Sequence, residues 1–220
     1  MAEEKKKSRA LKIIVEIVIC LMIAIVLVGI VQQFFLAPVA VSGVSMMPTI
    51  NSSGDKVFVQ KKFFKIKRGD VVVFYRPNSE DVKSKNPSNS ISIADFFNSL
   101  PFVNKIPNLT EESEVSADYT CVIKRVVGLP GDHIEIRYIS ATQAQLLRNG
   151  SVVNDFLMMP KQFGSGVKEG EWDVGDGELF VLGDNRNESF DSEDYGCIKR
   201  SWLMGKVLLA KINGKYKRNI

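Results

Sequence analysis

The stretch Tyr119-Thr120-Cys121-Val122-Ile123-Lys124-Arg125-Val126-Val127-Gly128-Leu129-Pro130-Gly131-Asp132 decides the fold. Its first nine residues favour an extended chain, and the Gly128-Leu129-Pro130-Gly131-Asp132 run stops it with turn residues. A strand is expected over Tyr119–Val127, and it carries an oddity. Lys124 has Val122, Ile123, Val126 and Val127 as neighbours, so facing inward it would be pulled out of water.

Comparable short runs recur on both sides. Val39–Val41, Lys56–Lys61, Asp70–Tyr75, His133–Tyr138, Glu178–Leu182 and Met204–Ile212 read as further strands, separated by Gly, Asn, Asp and Pro. Asn149-Gly150, between Gln145–Arg148 and Ser151–Asn154, is a two-residue hairpin signal of type I′. The spacing predicts a mainly β domain of antiparallel, coiled or barrel-like sheets over residues 37–220. Two stretches break the pattern. Residues 77–118, rich in Ser, Asn, Lys and acidic residues, read as an inserted loop with a short helix around Ile93–Leu100. Met158–Asp176, with four glycines and Pro160, reads as a second flexible connection.

Upstream of the β region, Ile17 to Val31 is an unbroken run of apolar residues and glycine, and Leu11 to Val31 is interrupted only by Lys12 and Glu16. At ~1.5 Å rise per residue, about 20 helical residues cross a ~30 Å hydrocarbon core. Residues 11–36 are therefore expected to be a transmembrane anchor in contact with lipid. Residues 1–10, with Lys5, Lys6, Lys7 and Arg9, form a basic tail that the positive-inside rule places in the cytoplasm, leaving the rest of the chain outside. A cleavable signal peptide is the competing reading. It fits poorly, because Phe35 and Pro38 stand where small residues would be needed before a cut.

The chain has 220 residues and a formal net charge of +4. Residues 1–12 hold five basic and two acidic residues, so the outer region is nearly neutral and no nucleic-acid partner is expected. Cys20, Cys121 and Cys197 form no metal-ligand spacing, and neither a metal nor a cofactor is expected. Cys20 lies in the apolar span, so one disulfide at most, Cys121–Cys197, is open to the outer region; free buried thiols are the equal alternative.

Two further islands carry polar groups in unusual settings. Ser45 lies in Ser42-Gly43-Val44-Ser45-Met46-Met47-Pro48-Thr49, close behind the apolar span. Gly183-Asp184-Asn185-Arg186-Asn187-Glu188-Ser189-Phe190-Asp191-Ser192 follows the apolar strand Glu178–Leu182 directly. There is one histidine, His133, at the start of a strand, so a Ser-His-Asp apparatus is barely available and a nucleophilic Ser45 would need a lysine base. An ordinary lysine, of pKa ~10.4, is charged at neutral pH and is no base, but burial among apolar side chains lowers that value by several units. Taken singly, each residue has a plainer reading: Ser45 as a turn residue, Lys124 as a strand lysine reaching out to water, His133 as structural.

Taken together the islands resemble the boxes of the bacterial type I signal peptidases, membrane-anchored Ser–Lys endopeptidases that cut signal peptides from exported proteins. The resemblance runs through residues 42–49, Arg68-Gly69-Asp70-Val71-Val72-Val73-Phe74, Lys124 to Asp132 and Gly183 to Ser192, in order and correctly placed after the anchor. It implies Ser45 as the acylating nucleophile, Lys124 as its general base, and Ser189 as the group that orients the lysine amine. It also implies an Arg125–Asp184 pair bracing the Lys124 strand, Asp191 supporting the third loop, Met46 packing beside the dyad, and Gly43 and Val44 next to the substrate. Substrates would be signal peptides of secreted preproteins, bound as an extended strand beside Val39–Val44 and Tyr119–Lys124, with small residues at the first and third positions before the cut.

The chain departs from the family pattern in places. Gly43 stands where some members carry an oxyanion-donating serine, so the oxyanion would rest on the Ser45 N–H and a second donor. Glu193 stands where the family often has arginine, which changes the partners of Asp191. Two rival readings are a membrane-anchored binding or scaffold protein with an inactive peptidase-like domain, and a Ser–Lys peptidase with another task, such as a self-cleaving repressor. The apolar span argues against the second.

Overall fold

The computed structural model describes residues 2–34, 36–51, 55–62, 64–79, 118–140, 143–153, 168–218 and 220. The chain divides into two units, one containing residues 1–36 and the other holding residues 37–88 and 115–220. The first contains helix α1 (Ala2–Phe34), whose stretch Leu11–Gly29 is long and apolar enough to cross a membrane. Leu11, Ile14, Ile17, Leu21 and Leu27 all expose more than half their surface. An apolar helix with its side chains uncovered all round needs a nonpolar solvent. The helix begins at Ala2, so the basic residues expected as a tail continue it rather than precede it.

The second unit is mainly β. Its strands are β1 (Leu36–Ala40), β2 (Lys56–Gln60), β3 (Val71–Pro77), β4 (Tyr119–Gly128), β5 (His133–Ser140), β6 (Gln143–Arg148), β7 (Ser151–Val152), β8 (Gly170–Asp173), β9 (Glu178–Leu182), β10 (Ile198–Lys199), β11 (Leu203–Ile212) and β12 (Lys215–Arg218). A short helix, α2 (Ser192–Tyr195), follows β9. The larger sheet runs β1-β2-β11-β3-β4-β9-β10, with β12 also on β11, and the smaller runs β7-β6-β5-β8. Every pairing with a described register is antiparallel.

The unbroken apolar run of β3 has a physical reason: both faces of the strand are covered. Val71 and Val73 join an apolar cluster with Val57, Val59, Val207 and Ile50. Val72 and Phe74 join another with Val126, Leu179, Val181, Ile198 and Trp202. A third cluster packs Ile134, Ile136 and Leu146 of the smaller sheet on Val127, Phe180 and Leu182 of the larger. The Asn149-Gly150 turn has φ of 52° and 75°, the pair of positive angles that a type I′ hairpin requires.

Three strands, and the short helix α2, lie outside the elements expected from sequence. β8 lies inside the stretch expected to be a flexible connection, and β10 and β12 lie beyond the expected runs. β8 is four residues with Trp172 as its single apolar side chain and β12 is exposed throughout, so neither carries enough apolar residues to mark a strand in sequence. The expected helix at 93–100, and residues 80–117 of the expected insertion, lie outside the described residues. Both outer cysteines are free, and Cys121 is exposed rather than buried.

Asp132 ties the turn between the two sheets together. It accepts from Arg68 Nε and Nη2 at 2.8 and 2.7 Å, from the Leu129 N–H at 2.9 Å and from Asn149 Nδ2 at 2.9 Å. Burial alone would raise its carboxyl, but the hydrogen bonds from Arg68, Leu129 and Asn149 outweigh it and hold the group at about 2. The folded value is below the ordinary one, so the stabilisation is present above about pH 4 and is lost as pH falls toward 2. Asp132→Asn is expected to cost about 1–3 kcal/mol at pH 7. In urea unfolding, the gap from wild type should narrow from about pH 4 and close only as pH reaches about 2; a gap independent of pH would show that the charge of Asp132 contributes nothing.

Candidate active site

Lys124 sits where β4 changes partners. Along β3, Val71 to Pro77 pair with Arg125 back to Tyr119, so Lys124 faces Val72 across the ladder. On the other side of β4, β9 pairs only from Arg125 onward, opposite Leu182. The β4–β9 ladder therefore stops short of the Thr120–Lys124 part of β4, whose described ladder partner is β3. The lysine is 2% exposed. Burial, the largest influence, brings its amine from 10.5 down to about 8; Asp191 draws it back up, Arg76 pushes it further down, and Asp184 and Asp194 draw it up.

The loop after β9 supplies the groups around that amine. Lys124 Nζ donates to Ser189 Oγ at 3.0 Å, and Ser189 Oγ donates to Asp191 Oδ2 at 2.6 Å. The serine's own proton is thereby committed to Asp191, and its lone pairs are left for the lysine N–H. Asp191 is itself fixed: it also accepts from the Gly183 N–H at 3.0 Å and the Glu193 N–H at 3.2 Å, and it caps α2 in a capping box with Asp194. The residue after Lys124 is braced as well. Arg125 Nε and Nη2 donate to the two oxygens of Asp184 at 2.7 and 2.6 Å, both side chains being buried. Such a fork-on-fork pair fixes the angle as well as the distance between β4 and the loop.

Ser45 lies in the turn after β1, partly buried. The Met47 N–H donates to the Val44 carbonyl at 3.0 Å and the Ile50 N–H to the Met46 carbonyl at 2.9 Å. Met46 is 1% exposed and, with Val41 and Ile50, belongs to the apolar cluster that holds the turn down. Gly43, with φ of +93° and nothing near its missing Cβ, borders open space. No hydrogen bond joins Ser45 to Lys124 among the described residues; apo sites commonly leave such bonds to tighten with substrate.

Two residues to which the sequence reading gave no role connect them. The Asn185 N–H donates to the Ser45 carbonyl at 2.9 Å, and Asn185 Nδ2 donates to the Val44 carbonyl at 3.2 Å. A Cβ on Gly183 would stand 2.5 Å from the Ser45 carbonyl oxygen and would overlap the Ser189 hydroxyl. The only sequence signal for either was membership of the Gly183-Asp184-Asn185-Arg186 run. Arg186 Nε donates to the Gly183 carbonyl at 2.8 Å, and burial pushes its guanidinium below the ordinary value despite Asp191, Glu193 and Asp184.

His133 opens β5, is partly exposed, and places Nδ1 2.7 Å from Asp173. It belongs to the smaller sheet and bonds to none of Ser45, Lys124 and Ser189. Among the described residues no group of His, Cys, Asp and Glu has the arrangement of a metal site.

Several known proteins resemble this chain along most of its length. A signal peptidase I from Bacillus caldolyticus is 27% identical over 84% of this chain and 84% of its own length. Signal peptidase I P from Bacillus subtilis subsp. natto is 29% identical over 92% of this chain and 89% of its own, and a probable signal peptidase I from Mycobacterium leprae is 29% identical over 90% and 68%. The family model described as signal peptidase, peptidase S26, matches residues 14–211. A match over nearly the whole chain, apolar span and β region alike, is decisive: this protein belongs to the signal peptidase family, peptidase S26.

Proposed function

We propose that this protein is a membrane-anchored serine endopeptidase that removes N-terminal signal peptides from exported preproteins, with Ser45 as nucleophile and Lys124 as general base. The observation that carries the reading is a lysine amine kept from water, held by Ser189 and adjoining the loop that grips the Ser45 turn. At pH 7 an amine of pKa about 8 is neutral roughly a tenth of the time, against about 1 in 3,000 at 10.5. Burial therefore multiplies the usable base by about 300.

The steps follow from that amine. Ser45 Oγ attacks the scissile carbonyl as its proton passes to Lys124 Nζ, and the oxyanion accepts the Ser45 N–H. Collapse of the intermediate breaks the C–N bond, and the Lys124 ammonium returns the proton to the leaving amine of the mature protein. Water, deprotonated by Lys124, then attacks the acyl ester, releasing the signal peptide as an acid and restoring Ser45. Ser189 and Asp191 hold the amine through the cycle, Arg125 with Asp184 sets the distance of β4 from the loop, and Gly43, Val44 and Met46 shape the nucleophile's side of the groove.

Substrate would lie extended beside Val39–Val44 and Tyr119–Lys124, bound by strand addition. Residues 11–36 anchor the chain in lipid, with the N-terminus in the cytoplasm and the β region outside. No nucleic acid takes part.

Cleavage of a model preprotein by purified protein tests the dyad. Ser45→Ala and Lys124→Ala should each abolish turnover, and because the pair acts as a unit the double variant should be scarcely worse. Substantial turnover by a folded Lys124→Ala protein would overturn the assignment. Ser189→Ala removes the group that aims the amine; a loss of roughly 1–3 kcal/mol, about one to two decades in rate, is expected. An unchanged rate would remove Ser189 from the site.

The pH dependence has a definite sign. Activity should rise with pH through about 8 as Lys124 loses its proton. Because the folded value lies below the unfolded one, the buried amine destabilises the fold increasingly as pH falls from 10.5 to about 8, and the cost levels off below that at about 3 kcal/mol. Lys124→Met should therefore be inactive yet at least as stable as wild type at pH 7 by thermal unfolding. A marked loss of stability would mean that Lys124 is a paired, charged structural residue.

A further inference from the structure

Lys124 and Arg76 stand on one face of the β3–β4 ladder. Val72 pairs with Lys124, Phe74 with Val122 and Arg76 with Thr120, and directly paired residues share a face. Four residues of strand separate the two positions, ~13 Å at ~3.3 Å per residue. Both cations reach the same loop, at consecutive residues: Lys124 Nζ bonds Ser189, and the Arg76 guanidinium lies 4.8 Å from the ring centre of Phe190. It also stands 5.6 Å from the Tyr195 ring, and Phe190 meets Tyr195 edge-on at 5.5 Å. Phe190 is 57% exposed, so burial does little to hold it.

We propose that Arg76 is a positioning residue of the dyad: stacked on Phe190 and Tyr195, it clamps the Ser189-Phe190 segment against the Lys124 face of the sheet and fixes a positive charge beside it. The inference rests on Lys124 being the base. A guanidinium over an aromatic face is held by the ring quadrupole, worth ~0.5–1 kcal/mol at exposed sites, and its planar fork suits the stack better than an ammonium does. A clamp one residue from Ser189 limits the rotation of the hydroxyl that aims the amine.

The charge acts in the same direction. Asp184 and Asp191 on the loop and Asp194 on α2 all favour a protonated Lys124, while Arg76 on β3 opposes it. Arg125, the neighbouring cation on β4, is neutralised by its paired Asp184. Arg76 thus offsets part of the acidic field that the loop needs for its own hydrogen bonds. One charge at that backbone spacing of ~13 Å, at an effective dielectric of ~40 between the protein-surface value of ~20 and water, is worth about half a pH unit.

The test is a set of kcat/KM–pH profiles for wild type, Arg76→Met, Arg76→Gln, Arg76→Lys and Phe190→Leu, with thermal unfolding to confirm that each folds. The 13Cε resonance of Lys124, identified by its loss in Lys124→Met, follows the amine directly and needs no turnover. Arg76→Met and Arg76→Gln should move both the rising limb and the 13Cε titration up by about half a pH unit, and should lower the limiting rate. Arg76→Lys, which keeps the charge, should restore the titration but only part of the rate; Phe190→Leu should lower the rate without moving the limb. Neutral variants that titrate as wild type, or an Arg76→Lys that shifts as far as Arg76→Met, would overturn the proposal. Full activity in Ser45→Ala or Lys124→Ala would instead refute the dyad, whatever Arg76 does.

Discussion

A lysine amine held out of water sets the terms for everything around it. Strand β4 can place Lys124 in the interior because β3 pairs with it from Tyr119 to Arg125 and the apolar residues of both strands exclude solvent. The acidic residues that organise the neighbouring loop then become a hazard, since each favours the ammonium. The chain resolves the conflict by giving those carboxylates other partners: Asp184 receives the fork of Arg125, and Asp191 receives two backbone N–H groups and the Ser189 hydroxyl. With its lone pairs so engaged, Asp191 reaches Lys124 through a hydroxyl rather than directly, and desolvation remains the stronger influence.

The same arrangement explains how Glu193 is accommodated where an arginine would be expected. Asp191 has no need of a cation when three donors already satisfy it. Glu193 turns to the Lys168 N–H at 3.2 Å, and Arg186 lies buried among Asp184, Asp191 and Glu193. All three carboxylates favour the charged guanidinium, which donates Nε to the Gly183 carbonyl and leaves Nη2 without a hydrogen-bond partner among the described residues. The loop's ionic balance is thus carried by Arg186, which the sequence reading passed over in favour of the missing arginine.

How much was legible in sequence depended on the kind of contact. Strands covered on both faces, such as Val71–Phe74 and Glu178–Leu182, announce themselves as apolar runs, and the Asn149-Gly150 turn follows from the conformations those two residues tolerate. Lys124 stood out because a charge inside such a run conflicts with its surroundings, and conflicts of this kind collect at functional sites. β8, β10 and β12 gave no such signal: they are short, and their stability comes from pairing with β5, β9 and β11, which no local pattern encodes. Arg76 and Asn185 were hidden for the same reason, since each acts on a segment more than a hundred residues away in the chain.

Gly183 shows how tightly the Ser45 turn and the loop are joined. Its N–H goes to Asp191, its carbonyl receives Arg186, and its missing side chain leaves the space that the Ser45 carbonyl and the Ser189 hydroxyl occupy. The next residue but one, Asn185, then closes two hydrogen bonds onto the Ser45 turn. The Ser45 turn and the Ser189 loop are therefore parts of one packed unit rather than independent segments. Any displacement of the loop carries both serines with it, which is why the chain uses backbone contacts and a glycine here, where a side-chain contact alone would leave the angle between them loose.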